Sequence, residues 1–588
     1  MDKFSLIFPI ATLLLIALFY LGLPRLKACS LQGGEKSFSL RDFLLLGLIV
    51  ILYTAVAFYN LGDKKAPESF AHFDKDCESV IIDLGKEQNI SLIRYYPGLN
   101  TGSYELKFSS DGRTWRTGAT MAQGHAELFK WLEAEFNEAL PFARYVKLVP
   151  DSELYLGELV IYSGNEMIEP AACDYPELFD EKELVPDEAS YLNSTYFDEI
   201  YHARTALEHI EGIYPYELSH PPLGKIIISL GISLFGMTPF GWRFMGTLFG
   251  VLMLPVLYVL LKKMFGGISV PACGTAIFAF DFMHFTQTRI ATIDTYAVFF
   301  ILLMYLFMYL YVEGGRLRHL ALSGLFFGLG AAAKWTCIYA GGGLAVIWLA
   351  HWICLLKSKE KRLRDFIGNC LFCLLFFVLV PALIYYLSYT PYGIAAGMHA
   401  PNMYFDRSYA KIVLGNQDFM FSYHSGVNSE HPYSSRWYQW IIDQRPILYY
   451  LHYFEDGTRS SFGAFLNPVL CWAGLTAVFI MAWLSFTRKD KKAAFILIGY
   501  LAQLLPWVFI GRTTFEYHYF TSSVFLLLAL CYVFSMMEEN KSDWKVRVYG
   551  LTGLSLALFA AFYPVLSGMT VKAELASRLL KWFPSWPF

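Results

Sequence analysis

The sequence predicts a membrane all-α protein, a bundle of about twelve spans, with a β-sandwich inserted outside the membrane. Three observations lead there. The 588 residues are 55% hydrophobic and 18% aromatic but only 16% charged, against about 25% charged in soluble domains. Apolar runs of about 18 or more residues recur along the chain, the length a membrane helix needs. Between the second and third runs the pattern changes to short alternating stretches split by turn residues. The composition excludes disorder, a collagen-like chain and a disulfide framework, and the net charge of −3 gives no basis for binding nucleic acid.

The twelve runs lie at 5–23, 43–61, 244–261, 270–287, 295–312, 320–334, 337–356, 366–387, 465–486, 493–510, 520–536 and 548–565. The sixth and seventh are continuous enough to read as one long helix. The first is long for a signal peptide and lacks a small-residue cleavage site, so it reads as a retained helix. One set of loops holds Arg25, Lys27, Lys36 and Arg41; Lys262 and Lys263; Arg316 and Arg318; five cations from Lys357 to Arg364; four from Arg488 to Lys492; and Lys541, Lys545 and Arg547. The short loops opposite hold only Arg289, Lys334 and Arg512. The excess of Lys and Arg assigns the first set to the cytoplasm. Two long polar segments, 62–241 and 390–462, then face outward, as do both termini. The tail sets Trp582, Phe583 and Trp586 near Lys and Arg, a composition suited to the membrane interface.

The chain therefore divides into two leading helices (1–61), the sandwich (62–166), an outer loop with an interfacial helix (167–242), a helical core (243–389), a second outer loop (390–463), C-terminal helices (464–567) and an interfacial tail (568–588). Seven of the ten cysteines lie in apolar runs, where a thiol acts as a small hydrophobe. Cys370 and Cys373 have CxxC spacing but no second ligand pair follows, which argues against zinc. Cys77 and Cys173 lie in the polar region and could pair if it is extracytoplasmic.

Within the insert, 80–84, 92–95, 104–109, 145–148 and 158–162 read as strands, and Ser110-Asp111-Gly112 reads as a turn. The stretches "IIDLGKEQNISLIRYYPG", "YELKFSSDGRTW", "ARYVKL" and "LGELVIYS" resemble discoidin-like, galactose-binding-type domains. Many such domains bind glycans at their loop tips. A spacer role stands equally beside that reading, because a fold alone does not assign a function.

Asp198 and Glu199 are adjacent acids just outside the membrane, followed by His202, Arg204, His209 and His220. Pro221 and Pro222 set a rigid turn before a short apolar stretch, 223–236, which carries Lys225 and reads as interfacial. Taken alone, an acidic pair at a helix start is a solvated surface feature. Other residues change the balance. Arg243 opens the third span from its outer side, Arg289 and Asp294 flank an outer turn, Asp281 and His284 precede them within the membrane, and Lys334 and Arg512 sit on the same side. Ionisable groups at membrane depth are costly and point to function. Snorkelling explains one or two of the cations but not carboxylates at the same level. Acids beside cations suit transfer from a lipid phosphate: fixed positive charge receives the departing phosphate, and a carboxylate takes the proton of an acceptor hydroxyl.

The pieces "FDE", "HPPLGK", "GWRFMGTLFG", "RIATID", "AAAKWT", "YHSGVNSEHPYSSRWYQWIIDQRPILYY" and "RTTFEYHYF" occur in that order from Phe197 to Phe520. Together they resemble the protein O-mannosyltransferase family of GT-C glycosyltransferases. The resemblance implies a GT-C helical bundle and an inverting transfer of a hexose, mannose in the family, from a polyprenyl phosphate to Ser or Thr hydroxyls of proteins. It implies Asp198 as general base, Glu199 as its partner, and Arg243 as the contact to the donor phosphate, with Arg289, Arg512 and Lys334 as further phosphate-side cations. His220, Lys225, Asp281, Asp294 and His518 fall on the substrate side. In the second outer loop, His424, His431, Trp437 and Trp440 match the acceptor side, although aromatics also suit a membrane interface. The lipid-linked sugar is a co-substrate. No P-loop or dinucleotide fingerprint is present, and neither cofactor nor metal is expected.

Two features depart from the family's eukaryotic members. The second outer loop is too short for a MIR domain, and the chain has the insert and an extra leading span, as a bacterial-type member would. The expected partners are the lipid donor, a protein acceptor, the bilayer and a glycan at the sandwich. Eukaryotic members pair, which leaves a dimer open. Three other readings remain: a transferase acting on a lipid or cell-wall polymer, a transporter or flippase, and a glycan-binding receptor. No inverted repeat of broken helices supports the transporter.

Overall fold

The computed structural model describes residues 6–21, 36–137, 141–426 and 430–588. Ser5 and Leu23, which bound the first predicted span, lie outside these residues, as do the loop cations Arg25 and Lys27 and residues 427–429 of the second-loop motif. The chain forms two compact units. One comprises Asn60–Glu211 with Ile228–Phe244, and the other Met1–Tyr59, Gly212–Ile227 and Met245–Phe588.

Among its described residues the first unit contains ten strands: β1 Ala71–Phe73, β2 Val80–Asn89, β3 Leu92–Pro97, β4 Gly102–Ser109, β5 Arg116–Gln123, β6 Leu132–Glu133, β7 Glu135–Phe136, β8 Phe142–Pro150, β9 Leu154–Ser163 and β10 Glu166–Met167. They form two five-stranded sheets, one ordered β1-β9-β3-β6 with β10 on β9, the other β2-β8-β4-β5-β7. All pairs are antiparallel, for example Tyr95 opposite Leu159 and Leu106 opposite Leu148. Alternation drives the arrangement: Tyr104, Leu106 and Phe108 of β4 point into one hydrophobic cluster shared with Ile93, Tyr95, Leu159 and Ile161 of the other sheet. All five expected strands are present, each longer than predicted. The predicted turn forms too: Gly112 takes φ +70°, while Asp111 Oδ1 accepts from the N–H groups of Arg113 and Thr114. Cys77 and Cys173 both pack against the cluster and both are free thiols, so the pairing considered above is absent. After β10 the chain laces back over the sheets, with Asp83 N donating to Ala172 O (2.9 Å) and Arg94 Nη1 to Pro186 O (2.6 Å).

In the second unit each apolar run is helical over most of its described residues. Along the whole described chain, eight helices are long and apolar enough to cross a membrane: Leu40–Phe58, Pro239–Phe265, Asp294–Gly314, Thr336–Lys357, Leu363–Ala395, Val469–Arg488, Glu516–Asn540 and Trp544–Phe562. Shorter apolar helices occupy Ile7–Tyr20, Leu223–Phe235, Ser269–Ala279 and Leu317–Ala333. The chain is a multi-pass membrane protein.

Backbone breaks shorten two of the expected spans. The run at 270–287 divides into Ser269–Ala279 and Phe282–Thr288 because Asp281 caps the second piece, accepting from His284 N at 3.1 Å. The runs at 320–334 and 337–356 are two helices, since Lys334 adopts an extended conformation between them. Every residue from Phe520 to Met537 is buried, which makes that helix the centre of its unit.

The second outer loop is ordered around helix Arg407–Gly426 and a three-stranded sheet of Ile447–Tyr453, Thr458–Ala464 and Val571–Lys572. The tail, whose composition suits a membrane interface, turns its aromatic side chains into the protein. Trp582, Trp586 and Phe588 are buried, Trp586 sits 4.9 Å from the Phe465 ring, and its Nε1 donates to Asp443 O at 2.7 Å. The indoles find apolar walls and a carbonyl inside the protein, which satisfies both ends of an amphipathic ring.

Candidate active site

In the first unit, Glu199 is the first residue of helix Glu199–Glu211. Phe197 turns the chain with φ +48°, and Tyr196 N donates to Glu199 Oε1 at 3.1 Å, so the acid sits on the helix N-terminus where a negative charge is favoured. Arg243 meets it from the start of helix Pro239–Phe265. Arg243 Nε donates to Glu199 Oε2 (3.0 Å), and Nη2 to Glu199 Oε1 (2.5 Å) and Ser194 O (3.0 Å). Nη1 donates to Leu61 O (2.9 Å) and Tyr191 O (2.7 Å). The Tyr196 ring lies 4.8 Å from the guanidinium, and both charged residues are fully buried.

All five N–H groups of a guanidinium thus go to protein acceptors. The carboxylate that meets Arg243 is Glu199, and the phosphate contact expected of Arg243 has no N–H left to make it. Asp198 is half-buried. It precedes the helix, and its carbonyl accepts from Tyr201 N and His202 N.

In the second unit the double proline starts a helix whose Lys225 is fully buried rather than interfacial. Its Nζ donates to Glu217 Oε2 (2.5 Å), Glu217 O (2.8 Å) and His220 O (2.9 Å), which uses all three N–H groups. Lys225 therefore clamps the loop. Glu217 also accepts from Ser219 N (2.8 Å) and Ser219 Oγ, and lies 3.1 Å from His220 Nδ1. Burial holds the His220 imidazole below the usual histidine range, against the opposing pull of Glu217.

His424, from helix Arg407–Gly426, packs its ring 5.2 Å from that of His220 and donates from Nε2 to Ser219 O at 2.7 Å. Burial, reinforced by His220, Arg512 and Lys334, lowers His424 to about 4, so it is neutral at physiological pH. The charges of Arg512 and Lys334 thus act on the His220–His424 pair.

Lys334 is paired with Asp294 (2.7 and 2.8 Å) and lies 5.6 Å from the Tyr517 ring. Arg512 is half-buried and differs from Arg243: among the described residues its guanidinium meets one acceptor, Thr513 O at 3.4 Å. Beside it lies a cavity of about 420 Å³ whose lining includes Arg436, Arg445, Ser434, Tyr438, Thr513 and Thr514. Arg436 Nη1 reaches Gly511 O at 3.0 Å and ties this part of the second loop to the segment carrying Arg512.

The remaining candidates divide between this region and the scaffold. His518 stacks 4.4 Å from Tyr517 and 5.9 Å from Trp440. Trp440 is buried and donates from Nε1 to Ser435 Oγ, whereas Trp437 is half-buried beside Tyr438. His431 accepts from Tyr433 N and packs 4.9 Å from Phe515. Asp281 is spent on structure: besides His284 N it accepts from Asn467 N at 2.8 Å. Arg289 donates to Tyr59 O at 2.9 Å and lies over Phe285.

Sequence reasoning missed Glu217, Arg436 and Arg445. Glu217 stands three residues before His220, and the two arginines flank the Trp437–Trp440 stretch. An acid next to a buried lysine motif was the signal for the first; nothing local marks the others. Among the described residues, one acidic group, Glu158, Asp180 and Glu181, has ligand atoms within 4.8 Å of one another. Ser69 and Glu68 already donate to Asp180 and Glu181. Burial pushes Glu158 up to about 8, so a proton neutralises it at neutral pH.

Comparison with known proteins matches two consecutive regions to one family. Residues 219–386 match dolichyl-phosphate-mannose-protein mannosyltransferase, and residues 410–586 match the C-terminal four-transmembrane region of protein-O-mannosyltransferase. The polyprenol-phosphate-mannose–protein mannosyltransferase of Mycobacterium tuberculosis is 24% identical over 430 residues, covering 62% of this chain and 80% of the relative. The protein of that name from Corynebacterium glutamicum is 25% identical over 430 residues, covering 62% and 81%. The solved Saccharomyces cerevisiae protein O-mannosyltransferase Pmt1-Pmt2 complex, bound to the sugar donor, shares the fold. Its TM-score is 0.60 at 13% identity, over 67% of this chain and 89% of that one. With both matched regions in chain order and relatives aligned over most of their length, the chain belongs to the protein O-mannosyltransferase family.

Proposed function

We propose that this protein is an integral-membrane inverting glycosyltransferase that moves mannose from a polyprenyl-phosphate donor to Ser or Thr hydroxyls of proteins at the extracytoplasmic face. The observation that carries the assignment of roles is the saturated Glu199–Arg243 pair. It fixes one acid of the adjacent pair in place, and Asp198, half-buried at the helix start, is the acid assigned to the substrate in this reading. The hydroxyl oxygen of the acceptor attacks the anomeric carbon while Asp198 takes its proton. The bond from that carbon to the phosphate oxygen breaks, and polyprenyl phosphate leaves with the electron pair. A departing phosphate calls for fixed positive charge, and Arg512, whose guanidinium meets one acceptor among the described residues, supplies it in this reading. The cavity beside Arg512 suits a polar segment of the acceptor.

The named relatives support the donor lipid and the protein acceptor. The donor is a co-substrate, and the reaction as written takes no metal or further cofactor. The shorter apolar helices Ile7–Tyr20, Ser269–Ala279 and Leu317–Ala333, together with helix Lys491–Val508, complete with the eight long ones a GT-C bundle of about twelve spans. The two-sheet region is a discoidin-like insert in this reading.

The test uses the purified protein in liposomes with labelled polyprenyl-phosphate mannose and a Ser/Thr-rich peptide. Asp198→Asn should lower transfer about 10²–10⁴-fold with an unchanged unfolding midpoint. Transfer near the wild-type rate would refute the base, and label found only in lipid or polymer would refute the protein acceptor.

A further inference from the structure

The two-sheet region touches the segment that carries the acids, and both lie in the same unit. The contact is made by the loop between β5 and β6. Leu128, Phe129 and Trp131 of this loop are buried. Phe129 has φ +55°, a left-handed conformation uncommon for a bulky residue, which persists only where the surroundings over-determine it. Phe129 N donates to Pro97 O at 2.9 Å, tying the loop to β3.

The outward-facing groups of the loop go to Ser194 and Thr195. Thr195 N donates to Phe129 O (3.1 Å), Thr195 Oγ1 donates to Leu128 O (2.9 Å), and Trp131 N donates to Ser194 Oγ (3.2 Å). Ser194 O in turn accepts from Arg243 Nη2, which holds Glu199. Thr195 stands three residues before Asp198. Lys130, in the same loop, has its ammonium lowered by burial, with Glu127 and Glu199 pulling the other way.

We infer that residues 128–131 of the insert are a positioning element for transfer, clamping Ser194–Thr195 so that Arg243, Glu199 and Asp198 keep their mutual geometry. The insert is then part of the catalytic apparatus rather than a spacer. The inference rests on the function proposed above. A misplacement of about 1 Å at a reacting group costs on the order of 10²-fold in rate, so loss of one anchoring bond reads out in turnover.

Thr195→Val keeps the shape but cannot donate to Leu128 O, and Thr195→Ser keeps the hydroxyl. In liposomes, Thr195→Val should lower kcat about tenfold with both KM values within about twofold of wild type, and Thr195→Ser should restore it. If Thr195→Val does not fold, Ser194→Ala, which removes the acceptor for Trp131 N, is read in the same way. Wild-type kcat in the valine variant, a loss confined to the acceptor KM, or equal impairment of Val and Ser would each overturn the inference. Asp198→Asn is measured alongside. An active Asp198→Asn sinks the functional reading itself, whereas an inactive one beside a normal Thr195→Val sinks only the positioning role.

Discussion

Arg243 has five N–H groups, and the protein accepts all of them. Charge-assisted, two-pronged bonds of this kind are strong, and a buried guanidinium needs every one satisfied. The partner is equally dependent. Arg243→Met should cost about 3–5 kcal/mol because Glu199 is left as a buried charge without its main counter-ion. Arg243→Lys should recover only part, since an ammonium offers three donors in place of a planar fork of five. Denaturant unfolding in detergent micelles measures both, and an unshifted methionine variant would mean that the pair carries no stability. The same logic separates Arg512 from the other cations. Lys334 is neutralised by Asp294 and Lys225 by Glu217, while Arg512 meets one acceptor among the described residues.

At the scale of elements, close approach decides more than hydrophobicity does. Helix Pro239–Phe265 carries Gly246 and Gly250 one turn apart. A Cβ on Gly250 would lie 2.7 Å from the Thr288 Cβ, and one on Gly246 would lie 3.0 Å from Thr288 O. Thr247 Oγ1 uses that approach to donate to Thr288 O at 3.2 Å. Gly250→Ala should cost about 1–3 kcal/mol through overpacking. Gly342→Ala, in helix Thr336–Lys357 with nothing within 4 Å of the added carbon, should be neutral or slightly stabilising, because alanine is the better helix former. Equal unfolding midpoints for the two variants would contradict the packing argument. The capped break at Asp281 belongs to this scale as well. Residues 270–287 are apolar enough to read as one span, yet a single carboxylate accepting from two backbone N–H groups divides them.

For the molecule as a whole, the second unit is closed by its last residues. Trp582, Trp586 and Phe588 join Phe465 and Phe562 in one aromatic cluster, and Trp586 also reaches the main chain of Asp443. Trp586→Ala should cost about 3–5 kcal/mol, as large-to-small changes at buried aromatics do. Loss of well under 1 kcal/mol would return the tail to the interfacial role its composition suggested. The insert has the same whole-molecule character: its loop is far in sequence from Ser194 and Thr195, the residues just ahead of Asp198, and is joined to them by three hydrogen bonds.

By itself the sequence determined the membrane class, the helical runs, the strands of the insert and the adjacent acids Asp198 and Glu199. Each of these is a local property: the length of an apolar stretch, an alternation of period two, or residue types side by side. Motif order likewise carried the family. Only the tertiary structure decided which partner each ionisable group takes. It gave Arg243 to Glu199, Lys334 to Asp294, Lys225 to Glu217 and Asp281 to two backbone N–H groups, and it buried the tail. Pairing and burial depend on groups distant in sequence meeting at hydrogen-bond range, and no local pattern encodes that distance.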